Sequence, residues 1–162
     1  MTNNEAKGEN FDPVADLHQR QRQVRQDMGG AAKVAKMRAD GVPTIRDHID
    51  GILDEGSFRE IGTFSRSMRL EDRSNTPGDG KVGGEGMING KPVAIAGDDI
   101  TVKKGSSAIV GSRRIGRLYD RALERGMPYV YVGETGGGRI PDLIGAEGIA
   151  DVAPALSVSR RR

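Results

Sequence analysis

Tyr129-Val130-Tyr131-Val132-Gly133-Glu134-Thr135-Gly136-Gly137-Gly138-Arg139-Ile140-Pro141-Asp142 is the stretch whose reading decides the fold. It opens as a compact apolar strand, runs into a glycine turn, and then offers a helix start with proline near the first position. Working outward, Ser112 to Arg125 places Ile115, Leu118, Tyr119, Ala122 and Leu123 at helical spacing. That helix is predicted to stop at Gly126, with Pro128 just beyond. Further upstream, Glu85-Gly86-Met87-Ile88 and Pro92-Val93-Ala94-Ile95-Ala96 flank Asn89-Gly90, the strongest short signal for a β-hairpin. Ile100-Thr101-Val102 reads as a possible further strand. Strand, helix, strand, glycine turn and helix make an α/β unit in which a right-handed crossover is expected.

Towards the N-terminus the pattern changes. Residues 1–16 are polar and without periodicity, as in a flexible arm. From Leu17 to Ala39 the chain is rich in Gln, Arg, Lys and Ala, broken at Gly29-Gly30, and reads as two helical pieces with a weak joint. Thr44-Ile45-Arg46-Asp47 resembles a capping box, and the helix it opens would carry Ile45, Ile49, Ile52 and Leu53 on one face. The segment 17–55 is therefore an N-terminal helical region. Gly56-Ser57-Phe58-Arg59-Glu60-Ile61 turns into a short extended piece, and Ser65 to Gly80 reads as a polar loop.

Composition narrows the function. The 162 residues suit one domain, and the 24 glycines are about twice the usual share, which implies many special turns. Without cysteine there are no disulfides, thiolate zinc sites or cysteine nucleophiles, and His18 and His48 stand in no ligand-spaced cluster, so no metal is assigned. The net charge of +2 is small, with Lys and Arg spread among nearly as many acids, which argues against a dedicated nucleic-acid binder. No stretch approaches the roughly 20 apolar residues of a membrane span, and residues 1–10 contain no apolar signal core, so a cytoplasmic location is expected.

Three local patterns invite a chemical reading. Gly78, Gly80 and Gly83 satisfy G-x-G-x-x-G, yet they follow a polar loop and precede a hairpin, so a flexible loop is expected instead of a dinucleotide site. Arg113, Arg114, Arg117 and Arg121 lie partly on the polar face of a helix, where a solvated surface competes with recognition of a phosphate-bearing cofactor. The run Gly133 to Gly138 is placed after a strand and before a helix, where backbone N–H groups can point at an anion. It lacks the Gly-Lys-Ser/Thr of an NTPase loop, so the natural ligand is an oxygen that becomes negative during reaction, with a structural tight turn as the competing reading.

Taken together, Pro77-Gly78-Asp79-Gly80, the Asn89-Gly90 hairpin, Ile100-Thr101-Val102-Lys103-Lys104-Gly105-Ser106 and Gly133 to Asp142 resemble, in order and spacing, the carboxyltransferase (β) subunits of propionyl-, acetyl- and methylcrotonyl-CoA carboxylases. The upstream Thr44-Ile45-Arg46-Asp47-His48-Ile49 helix and the Gly56-Ser57-Phe58 turn belong to the same resemblance, which runs from about Leu17 to Ala150. It implies a crotonase-like spiral of ββα units, here the incomplete N-terminal domain over 56–162. It also implies that a carboxylated biotin on a carrier protein passes its carboxyl group to the α-carbon of an acyl-CoA. Charge then gathers on the thioester oxygen as an enolate, which backbone N–H groups stabilise in a dry site.

Carried over by that resemblance, the oxyanion pair falls on Gly136 and Gly137, or one residue later on Gly137 and Gly138, and the loop near the CoA falls on Gly105 and Ser106. The family commonly has Ser before the pair and Ala after it, where this chain has Thr135 and Gly138. Implied partners are a biotin carboxylase and biotin carrier subunit, acyl-CoA, and further copies of the chain. The family's second glycine-rich segment and C-terminal domain have no counterpart, so the chain is expected to be incomplete for turnover alone. The alternatives are a non-catalytic CoA-binding or assembly module and, more distantly, a decarboxylase acting on a carboxyacyl-CoA.

Overall fold

The computed structural model describes residues 11–145. Its centre is the hairpin: β2 (Lys81–Ile88) and β3 (Lys91–Asp98) pair antiparallel through the turn at Asn89 and Gly90, whose φ values are 50° and 72°. Asp54 secures that turn by accepting both N–H groups, at 2.9 and 2.8 Å. β1 (Arg59–Glu60) adds antiparallel to β2, and β4 (Tyr129–Val132) adds parallel to β3, giving the order β1-β2-β3-β4. The β3-to-β4 crossover is α4 (Ile109–Glu124), which stops just ahead of Gly126, as expected, but begins ahead of Ser112. β2, β3 and α4 form the ββα unit that the resemblance implies, and β4 follows it in the sheet.

The period of β3 divides the core. Val93 and Ile95 face one side, packing with Ile45, Ile49 and Leu53, while Ala94 and Ala96 face Ile115, Leu118 and Ala122 of α4 on the other. The first side is covered by α3 (Ile45–Ile52), joined in the same cluster by Val34 of α2 (Ala31–Ala39) and by Met28, which lies between α1 (Pro13–Gln26) and α2. Close approach there needs glycine: a Cβ on Gly97 would lie 2.2 Å from Ile45 Cδ1, and one on Gly29 would lie 2.2 Å from the Thr101 carbonyl oxygen. The Thr44–Asp47 capping box forms as expected, but Ile52 is left 38% exposed while Ile49 is fully buried.

Four local expectations change. Helix α1 starts at Pro13, inside the expected arm, because Asp12 caps it by accepting the Val14 and Ala15 N–H groups at 2.8 and 3.1 Å; residues 1–10 lie outside the described residues. Ile100-Thr101-Val102 is not a strand. The Asp99 carboxylate accepts the Thr101 N–H and hydroxyl at 2.9 and 2.5 Å, which curls the chain into a short 3₁₀ turn at Lys103–Gly105. The polar segment 65–80, expected as a loop, contains 3₁₀ turns at Leu70–Asn75 and Pro77–Gly80, and Gly78, Asp79 and Gly80, expected to be flexible, are buried. The last helix among the described residues, α5 (Ile140–Leu143), is a single turn, too short to present a helix-dipole site.

Candidate active site

Because β3 and β4 are parallel neighbours, the segments that leave them emerge on the same edge of the sheet, where open α/β sheets place their crevices. The 103–107 turn and the glycine loop at 133–138 meet there. The Gly136 N–H donates to the Lys104 carbonyl at 2.8 Å, the Ser107 N–H to Gly137 O at 2.8 Å, and the Arg139 N–H to Ser107 O at 2.8 Å. The Thr135 hydroxyl donates to Gly105 O at 3.0 Å. Gly105 has a φ of 65°, and a Cβ on it would sit 2.7 Å from Glu134 O, so only glycine lets the two segments touch without strain. Gly105, Ser106, Gly136, Gly137 and Gly138, assigned to two loops far apart in sequence, thus occupy one place.

Their N–H groups are not equivalent. That of Gly136 is bonded across the loops, whereas that of Gly137 is held by the neighbouring Thr135 hydroxyl, at 3.1 Å on an exposed surface. Gly138 forms a parallel bridge with Ser107 that uses Gly137 O and Arg139 N, so its own N–H points away from Ser107.

Beneath the loops lies a buried network of charge. Lys81 pairs with Asp98, and its ammonium also donates to Gly105 O at 3.1 Å and Ser107 Oγ at 3.2 Å. Asp98 in turn accepts the Tyr131 hydroxyl at 2.7 Å and the Glu134 N–H at 2.9 Å. Burial and the adjoining Asp98 charge push the Tyr131 phenol well above its ordinary range, so it stays a protonated donor. Arg139 bonds Asp79 Oδ1 at 2.6 Å, and Asp79 Oδ2 accepts the Gly111 N–H at 2.9 Å, which ties the Pro77–Gly80 turn to the glycine loop and to α4. Asp142, 3.9 Å from Arg139 Nε, has its carboxyl pushed up by burial, against the pull of that guanidinium.

None of these pairs was read from the sequence, although one signal was present: two acids, Asp98 and Asp99, closing an apolar strand. The arginine run divides. Arg114 turns inward to the carbonyls of Ile61, Gly62 and Gly78, at 3.0, 2.6 and 3.0 Å, while Arg121 pairs with Glu85 on β2. Among the described residues no group of three or more His, Asp or Glu is placed to hold a metal ion. A cavity of about 630 Å³, lined by Arg25, Arg38, Arg46, Ile49, Leu53 and Phe58 among others, opens beside the N-terminal helices and does not include the two loops.

A hairpin, crossover helix and parallel strand with two glycine loops converging beyond the strand ends define a unit of the crotonase-like class. Residues 36–158 match the family of the carboxyl transferase domain, and the chain belongs to that family. It is 35% identical over 125 residues to the methylmalonyl-CoA carboxyltransferase 12S subunit of Propionibacterium freudenreichii subsp. shermanii, covering 75% of this chain and 24% of that one. It is also 35% identical over 139 residues to the propionyl-CoA carboxylase beta chain of Saccharopolyspora erythraea, covering 84% and 25%. The crystal structure of transcarboxylase 12S with methylmalonyl-coenzyme A and methylmalonic acid bound superposes with a TM-score of 0.78 at 30% identity, over 87% of this chain and 28% of that one. The chain thus spans about a quarter of the length of these relatives.

Proposed function

We propose that this chain supplies the acyl-CoA side of a carboxyltransferase, moving a carboxyl group from carboxybiotin to the α-carbon of an acyl-CoA. The observation that carries the reading is the convergence of Gly105–Ser106 with Gly136–Gly138 at the carboxyl ends of parallel strands, in a fold shared with a structure that holds methylmalonyl-coenzyme A. Gly105 and Ser106 lie along the CoA, and glycine N–H groups hold the thioester oxygen as the enolate forms. The Gly136 N–H is already bonded to Lys104 O, which favours Gly137 and Gly138 as the donor pair over Gly136 and Gly137. To act, the Gly137 N–H exchanges its bond to the Thr135 hydroxyl for the thioester oxygen, and each such donor contributes ~3 kcal/mol to the transition state.

The carboxyl donor in this reading is carboxybiotin, presented by a carrier belonging to a biotin carboxylase partner; it would supply the carboxyl group and, in exchange, take up the α-proton, and nothing in the two loops is assigned to it. The relative of known structure is described as a hexamer within a multienzyme core, which supports assembly of this chain with further copies and partner subunits. The setting is cytoplasmic; no helix among the described residues is long and apolar enough to cross a membrane.

A second reading, a CoA-binding or assembly module without turnover, is favoured by one feature. Leu70 is 76%, Ile140 69% and Ile144 77% exposed, and Arg69 Nη1 reaches Pro141 O at 3.4 Å, bringing the segments that carry them together. Titrating propionyl-CoA into the chain, alone and as Gly137→Val, then assaying biotin-dependent carboxyl transfer in the protein joined to the rest of a family subunit, separates the readings. Binding with turnover supports the transferase, binding without turnover the module, and no binding removes both roles for the loops.

A further inference from the structure

Every hydrogen of the Lys81 ammonium has an acceptor, and those acceptors join two parts of the site: the Asp98 carboxylate at the end of β3, and Gly105 O and the Ser107 hydroxyl in the 103–107 turn. Asp98 continues the connection to β4 through the Tyr131 hydroxyl and to the glycine loop through the Glu134 N–H. The two side chains are 3% and 1% exposed. A buried ion pair of this kind contributes little net stability over an apolar pair of similar size, because desolvation opposes the attraction. What distinguishes it from an apolar pair is direction. An ammonium and a carboxylate fix four neighbouring groups at hydrogen-bond length, whereas Met beside Leu would fill the space and orient none of them.

We infer that Lys81 and Asp98 are positioning residues for the acyl-CoA site, setting the spacing between the Gly105–Ser106 turn and the glycine loop. The inference rests on the function proposed above. Neither residue touches substrate in this reading; each acts by holding the segments that do, Lys81 through Gly105 O and the Ser107 hydroxyl and Asp98 through the Glu134 N–H at the start of the glycine loop.

The test compares the chain with the double variant Lys81→Met/Asp98→Leu, which removes both charges together, and with Lys81→Arg, which keeps the charge. Amide hydrogen exchange is followed at Glu134 and Gly136 and, as an internal control, at Val93 to Ala96 in the hairpin, alongside propionyl-CoA binding by calorimetry. In the folded double variant the loop amides exchange at least ~10-fold faster while the hairpin amides hold. Propionyl-CoA binding weakens by ~10-fold or more, and Lys81→Arg recovers part of both effects. Unchanged exchange at Glu134 and Gly136 in a folded double variant overturns the inference, as does unchanged propionyl-CoA binding. A wild-type chain that binds no propionyl-CoA overturns the functional reading instead, and the exchange at Glu134 and Gly136 then decides by itself whether the pair positions the loops.

Discussion

Lys81 and Asp98 stand directly opposite each other where β2 begins and β3 ends, and their buried ion pair is the point at which the hairpin meets both glycine-containing segments. Removing one charge leaves the other buried without compensation, at a cost of ~3–5 kcal/mol, so Lys81→Met is strongly destabilising. Lys81→Met/Asp98→Leu loses less than the single change. Urea unfolding of the two variants checks the order, and a double variant less stable than Lys81→Met would contradict it.

Gly105→Ala meets two obstacles at once: a φ of 65° and a Cβ placed 2.7 Å from Glu134 O. The left-handed conformation alone costs about 1–2 kcal/mol for a residue with a Cβ. The clash is with backbone, so relief requires the glycine loop to move. A thermal melt shows the loss of stability, and a parallel fall in propionyl-CoA affinity shows that the two loops form one site.

If the proposed role of Gly137 holds, Gly137→Val, at a φ of 97°, lowers kcat of the joined transferase by ~100-fold or more by displacing an N–H donor from the thioester oxygen. Steady-state kinetics against acyl-CoA read this. A variant that raised KM alone would place Gly137 in substrate binding and not in stabilising the enolate.

The capping box gives a pH dependence of known sign. Burial raises the Asp47 carboxyl, but hydrogen bonds from the Thr44 N–H and hydroxyl, with Arg38 and His48 nearby, outweigh it and hold the group below its ordinary 3.8. A depressed carboxyl contributes stability that is present above 3.8 and is lost as pH falls through the folded value. Asp47→Asn therefore costs about 1 kcal/mol at neutral pH, and its gap from the parent closes in acid; denaturant midpoints at the two pH values measure both.

Helix α3 supplies a contrast between neighbours. Ile49 is 0% exposed between α3 and the sheet, so Ile49→Ala costs ~2–5 kcal/mol. Ile52, read from the sequence as part of the same face, is 38% exposed, and Ile52→Ala stays within about 0.5 kcal/mol. Equal losses in chemical denaturation would show that Ile52 is covered in solution.

What the sequence determined by itself is local. Asn89-Gly90 forces the hairpin because both positions need positive φ; the α4 face follows from its period; and the strand-to-glycine passage at 129–138 follows from a short apolar run ending in residues without side chains. The same local logic misjudged Ile100-Thr101-Val102, where an Asp99 side chain competes with the strand for the backbone, and the 65–80 segment, whose polar composition hid a buried turn. Only the tertiary structure decided which polar residues go inside. Asp79 and Arg139 are 60 positions apart, Lys81 and Asp98 17, and Arg114 leaves a run of arginines to reach carbonyls far upstream. Beyond the two acids Asp98 and Asp99 that close an apolar strand, no local pattern signals such burial, because a charge can leave water only where distant elements bring it a partner, and that placement exists only once the parallel strands and their crossover helix have closed.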